Sequence, residues 1–141
     1  MPKSRLTARQ KEQVAQRAKY LCEYCLSQLN YSPDPFSIEH IQPLALGGKN
    51  RLHNLAFSCQ GCNGRKYTST SAIDPITGQT VPLYHPRQHQ WAEHFMWSDD
   101  ETLIIGLTPI GRATIVKLEL NREGVVNLRE LLHAIGKHPV S

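Results

Sequence analysis

Two identical cysteine pairs constrain this 141-residue chain more than any other feature of its sequence. Cys22 and Cys25 form one Cys-x-x-Cys pair, and Cys59 and Cys62 form the other. Two such pairs offer four thiolates to one ion, and zinc suits them because it accepts sulfur ligands in a tetrahedron. A closed four-sulfur site leaves no open position for a substrate. We therefore predict a structural zinc site that serves folding rather than catalysis.

The surroundings of the cysteine pairs argue against other uses of the thiols. The gap between the pairs exceeds the roughly 15–20 residues of a plain zinc ribbon, so a further structure must be folded between them. A redox dithiol uses a single pair near a βαβ unit, which makes it a poor alternative for two matched pairs. The polar, charged N-terminal segment does not resemble a signal peptide. We therefore expect a cytoplasmic protein, in a compartment where disulfides are rare.

The composition is that of a globular protein with a basic excess. Lys and Arg number 16 against 12 Asp and Glu, which gives a net charge of +4. This excess favours a polyanionic partner without proving one. No apolar run approaches the roughly 18 residues of a membrane span, so we expect no membrane partner. One compact domain is the natural expectation at this length, with a core in residues 1–70 and a C-terminal extension in 71–141 that packs on it.

Capping and periodicity signals predict mixed α and β structure in the first half of the chain. Thr7 lies three residues before Gln10, which is the spacing of a helix capping box. Short runs of alternating apolar residues indicate strands on either side of a turn at Gly47 and Gly48. The expected elements are helices over 7–20 and 60–66 and strands over 36–41 and 55–59.

The second half of the chain carries one strong helix signal. Thr108 followed by Pro109 combines a capping hydroxyl with proline at the first helical position. We predict a helix over 110–120, although the alternation of its apolar residues leaves a strand open. Asn121 is expected to cap a last helix that Gly136 ends. The expected strands cover 80–84, 94–97 and 102–107, and the expected apolar face of the last helix comprises Val125, Leu128, Leu131, Leu132 and Ile135.

A carboxylate, an imidazole and two amides lie between and beside the cysteine pairs, at Glu39, His40, Asn54 and Asn63. Each of them alone has an ordinary structural interpretation. Together they allow phosphodiester hydrolysis, because a neutral imidazole can activate water. A hard divalent cation with oxygen ligands can neutralise charge on the phosphate. Strand alternation sends neighbouring side chains to opposite faces, so the cation and the base can flank one phosphate only where the strand ends or bends.

The order of these residues resembles the HNH endonuclease family. The resemblance implies an α+β fold with a ββα-metal (His-Me finger) core, in which a hairpin and a short helix bracket one catalytic divalent cation. Structural zinc knuckles, an N-terminal helix and a C-terminal α/β extension complete the expected fold. The motifs that carry the resemblance are Cys22-x-x-Cys25, Glu39-His40-Ile-x-Pro43, Gly47-Gly48, Asn54-Leu55 and Cys59-x-x-Cys62-Asn63-x-x-Lys66.

The resemblance assigns a role to each polar residue of the motif. It implies that His40 is the general base and that Asn54 braces the loop that carries it. It also implies that Glu39 and Asn63 hold the catalytic cation, Mg²⁺ or Mn²⁺. Glu39 stands where the family usually has aspartate, and Asn63 stands where it usually has its last histidine. The chain is therefore an HNN variant of the pattern.

The residues after the motif extend the resemblance. Arg65 and Lys66 directly follow the second cysteine pair, and we predict that they contact phosphates, with a purely solvated role as an equal alternative. The C-terminal half is similar to the tail of a bacterial, often cyanobacterial, HNH subgroup. The segments that carry this similarity are Asp74-Pro, Leu83-Tyr-His-Pro-Arg87, Trp91-x-x-His94-Phe-x-Trp97 and Gly106 to Thr114.

Three functions are compatible with the sequence. The first is a metal-dependent endonuclease that cuts DNA largely without sequence specificity, since no recognition helix is evident. The second is a catalytically inactive, zinc-stabilised nucleic-acid-binding module. The third is an interaction protein whose basic N-terminal helix contacts another chain. Glu39 beside His40 favours the enzyme, because a binding module needs no base beside a carboxylate. The basic residues of the N-terminal segment are Lys3, Arg5, Arg9, Lys11, Arg17 and Lys19.

Overall fold

The computed structural model describes residues 5–140, which form two compact units. Both units combine helices with two-stranded antiparallel sheets, which confirms the predicted α+β class. No helix within residues 5–140 has both the length and the apolar character needed to cross a membrane. Lys3, one of the basic N-terminal residues, lies outside the described residues. Of the described residues, unit 1 comprises 5–70 and His85–Gln88, and unit 2 comprises Ser71–Tyr84 and 89–140.

Helix α1 (Ala8–Arg17) begins as the capping signal predicts. The Thr7 hydroxyl accepts the Gln10 backbone N–H at 3.1 Å, and the Gln10 side-chain oxygen accepts the Thr7 N–H at 2.9 Å. These two bonds satisfy backbone donors that a helix N-terminus leaves unpaired. The helix ends earlier than expected, because Lys19 and Tyr20 adopt left-handed φ angles of 57° and 59°.

A β-hairpin and a short helix follow in the expected places. Strands β1 (Ser37–His40) and β2 (Leu55–Ser58) pair antiparallel, with His40 opposite Leu55. Helix α2 (Gln60–Lys66) begins directly after β2. Cys59 is its N-cap, and its sulfur accepts the Cys62 backbone N–H at 3.4 Å. The second cysteine pair is thus built into the first turn of α2.

Helices cover both faces of this hairpin. Val14 and Ala15 of α1 pack against Leu55 and Phe57 of β2 and form the apolar core of unit 1. All residues of β2 are buried, which requires a covering element on the other face as well. Helix α2 supplies that cover on the side of β1 that carries its polar residues.

Unit 2 contains the remaining elements. Helix α4 (Pro109–Leu118) begins at the predicted signal, and the Thr108 hydroxyl accepts the Gly111 backbone N–H at 3.0 Å. This helix lies against strands β3 (Ser71–Ile73) and β6 (Ile104–Gly106). The predicted strand over 94–97 begins one residue later, because the preceding residues form a single helical turn. The elements are β3 (Ser71–Ile73), β4 (Thr80–Pro82), α3 (Trp91–His94), β5 (Phe95–Trp97), β6 (Ile104–Gly106), α4 (Pro109–Leu118) and α5 (Glu123–Ala134).

The last helix exists, but its predicted cap was wrong. Arg122, not Asn121, is the N-cap residue of α5. The Asn121 side chain instead accepts the Ile104 backbone N–H and donates to the Ile104 carbonyl, both at 2.8 Å. These two bonds tie the start of β6 to the turn before α5. Gly136 ends the helix as expected, with a φ of 73° that suits glycine.

The predicted apolar face of α5 was wrong at two of its five positions. Leu132 is buried and Val125 and Leu128 are partly buried, as predicted, but Leu131 is 69% exposed and Ile135 is 64% exposed. Arg129, which the predicted face did not include, is only 4% exposed. The Arg129 guanidinium donates to the carbonyls of Thr102 and Leu120 at 3.0 and 2.8 Å. A buried cation is tolerated here because carbonyl oxygens satisfy its donors.

Asp74 is the most strongly held acid of unit 2. Its side chain is fully buried in the turn between β3 and β4, and Arg112 donates to both of its oxygens at 2.9 Å. Hydrogen bonds from Arg112 hold the pKa of the Asp74 carboxyl well below its usual value. The ionised form of Asp74 is therefore part of the folded structure.

This ion pair predicts acid sensitivity that one substitution removes. The contribution of Asp74 is present above its unfolded pKa of about 3.9 and is lost as the pH falls below that value. We expect Asp74→Asn to lower the free energy of unfolding at neutral pH and to reduce its dependence on pH below about pH 4. Urea unfolding followed by circular dichroism at several pH values measures both effects. Asp99→Asn, at an exposed site, is the control, and parallel pH profiles of Asp74→Asn and the wild type would contradict the prediction.

Candidate functional site

The four cysteines meet in unit 1, as their spacing predicts. Their sulfur atoms lie within 4.8 Å of one another, and all four residues are buried. The sulfurs of Cys25 and Cys59 are 3.7 Å apart. Zn–S bonds of about 2.3 Å in a tetrahedron require a sulfur–sulfur distance of about 3.8 Å. The Cys25–Cys59 distance therefore matches that of a tetrahedral zinc site, and all four sulfurs lie close enough together to share one ion.

The protonation of these thiols also calls for a cation. Burial raises the pKa of Cys22 well above its usual value, whereas hydrogen bonding from Cys22 lowers the pKa of Cys25. The pKa values of the two thiols thus move in opposite directions, because neighbouring thiols in an apolar interior cannot all lose their protons without a counter-charge. None of the four forms a disulfide. A divalent ion would allow all four to be thiolates, which is the chemistry of a structural zinc centre.

This cluster predicts one tightly held zinc ion per chain. Because binding of a structural metal contributes directly to folding, we expect Cys62→Ser to lose the ion and to lower the melting temperature. Elemental analysis of desalted protein and thermal unfolding followed by circular dichroism measure the two effects. Ser58→Ala, at a buried neighbour that is not a candidate ligand, is the control and should keep its metal. A wild-type protein that is folded but free of zinc would contradict the prediction.

His40 lies at the end of β1, where its ring is partly buried. Its Nε2 atom is 2.5 Å from the Oδ1 atom of Asn50. An amide oxygen only accepts hydrogen bonds, so the ring must donate through Nε2. In the neutral ring, Nδ1 then carries the lone pair, and it can accept a proton. Sequence analysis gave Asn50 no role, because an asparagine in a polar loop carries no distinguishing signal.

Asn54 ties together the loop that follows His40. Its side-chain oxygen accepts the Gln42 backbone N–H at 2.8 Å, and its NH₂ group donates to the carbonyls of Gln42 and Lys49 at 3.0 and 2.9 Å. Gly48 makes this closure possible, because a Cβ atom there would lie 1.7 Å from the Gln42 carbonyl oxygen. These contacts hold the loop between Gln42 and Asn54 closed, and the role of Asn54 in bracing a catalytic base stays a prediction.

Glu39 is held in the interior by two partners. Its carboxylate accepts the Tyr24 hydroxyl at 2.5 Å on Oε1 and the Lys66 ammonium at 2.7 Å on Oε2. Lys66 also donates to the Ile41 carbonyl at 3.0 Å. Burial raises the pKa of Glu39, and the charge of Lys66 opposes that rise. The sequence predicted Glu39 as an acidic cation ligand without indicating its burial, and the structure places its carboxylate in a buried network.

The phosphate contact predicted for Lys66 was wrong in this structure. The residue is only 1% exposed, and its ammonium neutralises Glu39, which is itself 4% exposed. A carboxylate this deeply buried requires a cation beside it, and Lys66 provides that charge. Arg65 is only partly buried and donates to the Gly61 carbonyl at 3.1 Å. Arg65 therefore remains the basic residue of α2 that can reach a partner.

Asn63 lies in the middle of α2 and is partly buried. It shares one side of the helix with Gln60 and Lys66, three residues away in each direction. Both neighbours contact β1, through hydrogen bonds of 3.0 Å to Ser37 and 2.7 Å to Glu39. No side-chain hydrogen bond of Asn63 is found within residues 5–140. Its amide oxygen is thus a candidate ligand on the Glu39 side of the hairpin.

The two faces of β1 carry different chemistry. Glu39 points toward α2, while strand alternation places His40 on the other face with Ile38, which packs against the α1 core. Among the described residues, the cysteines form the only group of three or more His, Cys, Asp or Glu side chains placed to share a metal ion. The catalytic cation site predicted from the sequence would therefore need amide oxygens as well as a carboxylate.

Glu23 anchors the first cysteine pair within unit 1. Its Oε2 atom accepts the Phe57 backbone N–H at 2.8 Å, and its Oε1 atom forms an ion pair with Arg87. Burial lowers the pKa of Arg87 to about 10. This ion pair gives the segment His85–Gln88 a fixed contact in unit 1. Sequence analysis missed it, because 64 residues separate the two partners.

The buried ion pair predicts a large effect at Lys66. We expect Lys66→Met to lower the free energy of unfolding by about 3–5 kcal/mol, because it leaves the Glu39 charge buried without a counter-charge. Adding Glu39→Gln should recover much of this loss, since the uncompensated charge is then removed. Urea unfolding of the zinc-loaded protein measures both changes. Arg65→Met on the same helix is the control, and equal losses for the two single variants would refute the buried-charge explanation.

One known family matches the part of the chain described above. Residues 22–69 match the family model whose description is HNH endonuclease, which covers about a third of the chain. The matched segment contains the four cysteines together with the hairpin and α2. No curated protein and no solved structure matches the chain.

Proposed function

We propose that this chain, whose residues 22–69 belong to the HNH endonuclease family, is a metal-dependent endonuclease that hydrolyses phosphodiester bonds of DNA. The observation that carries the proposal is the placement of His40, partly buried at a strand end with Nε2 directed to Asn50. This contact leaves Nδ1 with a lone pair, as a general base requires. The family match independently supports a nuclease-type function concerned with DNA.

In the proposed reaction, His40 takes a proton from water through Nδ1. The water oxygen forms a bond to phosphorus, the bond from phosphorus to the 3′ oxygen breaks, and the 3′ oxygen leaves with the electron pair and takes a proton from a solvent water. Asn50 holds the ring in one tautomer, and Asn54 keeps the loop after β1 closed. General-base catalysis of this kind typically contributes about 10²–10⁴-fold in rate.

Glu39 and Asn63 are the proposed ligands of a divalent cation, Mg²⁺ or Mn²⁺. Such an ion, when bound, supplies positive charge to the phosphate and to the leaving oxygen. Each Glu39 oxygen accepts one hydrogen bond in the structure, and a carboxylate has roughly four lone-pair sites in all. The donor set therefore retains capacity for an ion, and hard oxygen donors of this kind suit magnesium and manganese. Within this proposal the hairpin and α2 serve as a ββα-metal core.

The four-cysteine site is proposed to be structural. Cys22 and Cys25 precede the hairpin, and Cys59 and Cys62 begin the helix after it, so one zinc ion would hold both ends of the candidate centre. Four sulfur ligands leave no coordination position for a substrate. Thiolate ligands need a reducing compartment, which supports the proposed cytoplasmic location.

The proposed partner is DNA, bound largely without regard to sequence. The net charge of +4 favours a polyanion. Arg65 at the end of α2 is the proposed phosphate contact, because it is more exposed than its neighbour Lys66. Binding that depends on phosphate contacts weakens steeply as the salt concentration rises.

His40→Ala tests the enzymatic proposal. We expect purified wild-type protein to nick supercoiled plasmid in the presence of Mg²⁺ or Mn²⁺, and the variant to lose about 10²–10⁴-fold in rate. Gel electrophoresis measures the conversion of supercoiled to open-circular DNA, and circular dichroism verifies that the variant is folded. His53→Ala, at an exposed position of the same loop, is the matched control and should cut normally.

Two outcomes would contradict the proposal. Cleavage at the wild-type rate by His40→Ala would remove His40 from the reaction. Salt-sensitive DNA binding by the wild type, without any metal-dependent nicking, would instead identify an inactive zinc-stabilised binding module.

A further inference from the structure

Tyr24 connects the four-cysteine site of unit 1 to Glu39, the proposed ligand of the catalytic cation. It lies within the first cysteine pair, between Cys22 and Cys25, and is only 1% exposed. Its hydroxyl donates to Glu39 Oε1 at 2.5 Å across 15 residues of sequence. A carboxylate is an acceptor only, so the phenol must be the donor in this contact. The turn of one cysteine pair therefore fixes one oxygen of the candidate cation ligand.

The second oxygen of Glu39 is fixed from the other cysteine pair. Lys66, which holds Oε2 at 2.7 Å, lies on α2 four residues after Cys62. Residues four apart on a helix lie one above the other on the same face, so a shift of Cys62 moves Lys66 with it. Glu39 thus accepts one hydrogen bond from each of the two segments that supply the sulfur atoms, from Tyr24 in the first and from Lys66 in the second.

We infer that Tyr24 is a positioning residue that couples the geometry of the four-cysteine site to the Glu39 carboxylate and hence to the binding of a divalent cation there. This inference rests on the proposed function, since it takes Glu39 as a cation ligand. The Glu39 carboxylate contacts both segments that carry the sulfur atoms, through Tyr24 on one side and Lys66 on the other. A metal bound by the cysteines would hold these two segments together, and Tyr24 would transmit their separation to Oε1.

The geometry also explains why this role falls to a tyrosine. A buried hydroxyl that donates to a carboxylate orients it through a charge-assisted hydrogen bond, which is short and directional. Phenylalanine keeps the ring and its packing but removes the donor. The substitution Tyr24→Phe therefore separates the positioning of Glu39 from the folding of the cysteine turn.

The test compares Tyr24→Phe with Tyr20→Phe in the full-length, zinc-loaded protein. Tyr20 makes a hydrogen bond of the same 2.5 Å length, but to the exposed Glu12 on α1, which makes it a matched control. Free Mn²⁺ measured by electron paramagnetic resonance gives the Mn²⁺ affinity without any DNA. We expect Tyr24→Phe to bind Mn²⁺ about tenfold more weakly, as the loss of one charge-assisted hydrogen bond implies. The control should match the wild type, and both variants should retain their zinc.

A second measurement keeps the inference testable if Tyr24→Phe loses zinc. Replacing zinc by the larger cadmium ion in the wild type changes the size of the sulfur cluster without changing any side chain. We expect this exchange to shift the Mn²⁺ affinity of the wild type and of Tyr20→Phe. Where Tyr24→Phe remains folded, the shift should be smaller in that variant, because the transmitting hydroxyl is missing.

The outcomes separate this inference from the nuclease proposal. Equal Mn²⁺ affinity of the wild type and a folded Tyr24→Phe would overturn the inference, even if plasmid cleavage by the wild type is normal. An unchanged Mn²⁺ affinity after cadmium exchange, or no Mn²⁺ binding by the wild type, would overturn it as well. Weaker Mn²⁺ binding by Tyr24→Phe in a protein that cuts no DNA would support the coupling and contradict only the nuclease function.

Discussion

The constraint on which the rest of unit 1 depends is the burial of four neighbouring thiols. Their sulfurs lie within 4.8 Å of one another, and burial disfavours their ionisation unless a cation shares the site. The pair at Cys22 and Cys25 follows α1, and the pair at Cys59 and Cys62 starts α2. An ion at this position would join the ends of the hairpin segment and thereby stabilise the candidate centre.

The polar interior beside this cluster is a second constraint, and it follows from the first. Glu39 is buried between Tyr24 and Lys66, and each partner comes from a segment that carries one of the cysteine pairs. A buried carboxylate is tolerated only with a counter-charge and hydrogen bonds. This network fixes one face of β1, while His40 at the strand end remains partly exposed with Asn50 beside it. Glu39, proposed to hold a cation, and His40, proposed to move a proton, thus lie on opposite faces of β1 but side by side at the end of the strand.

Elements with local signals were predicted well from the sequence, and those that depend on distant contacts were not. The capping box of α1 and the Thr108–Pro109 start of α4 involve residues three apart, so the sequence contains all of the information. The buried face of α5 was predicted only in part, because the helix buries Arg129 as well as Leu132, and the Arg129 guanidinium reaches the carbonyls of Thr102 and Leu120. Apolar periodicity contains no information about such carbonyl contacts.

The sequence by itself determined the four-sulfur donor set and the position of the candidate base, because the spacing of cysteines and the order of motif residues are linear properties. Only the tertiary structure decided that Asn50 pairs with His40, that Tyr24 holds Glu39 and that Lys66 faces inward. These contacts join residues 10, 15 and 27 positions apart. A lysine beside a motif looks the same in the sequence whether its ammonium contacts a phosphate or a buried carboxylate. Only the path of the folded chain determines which of the two it contacts.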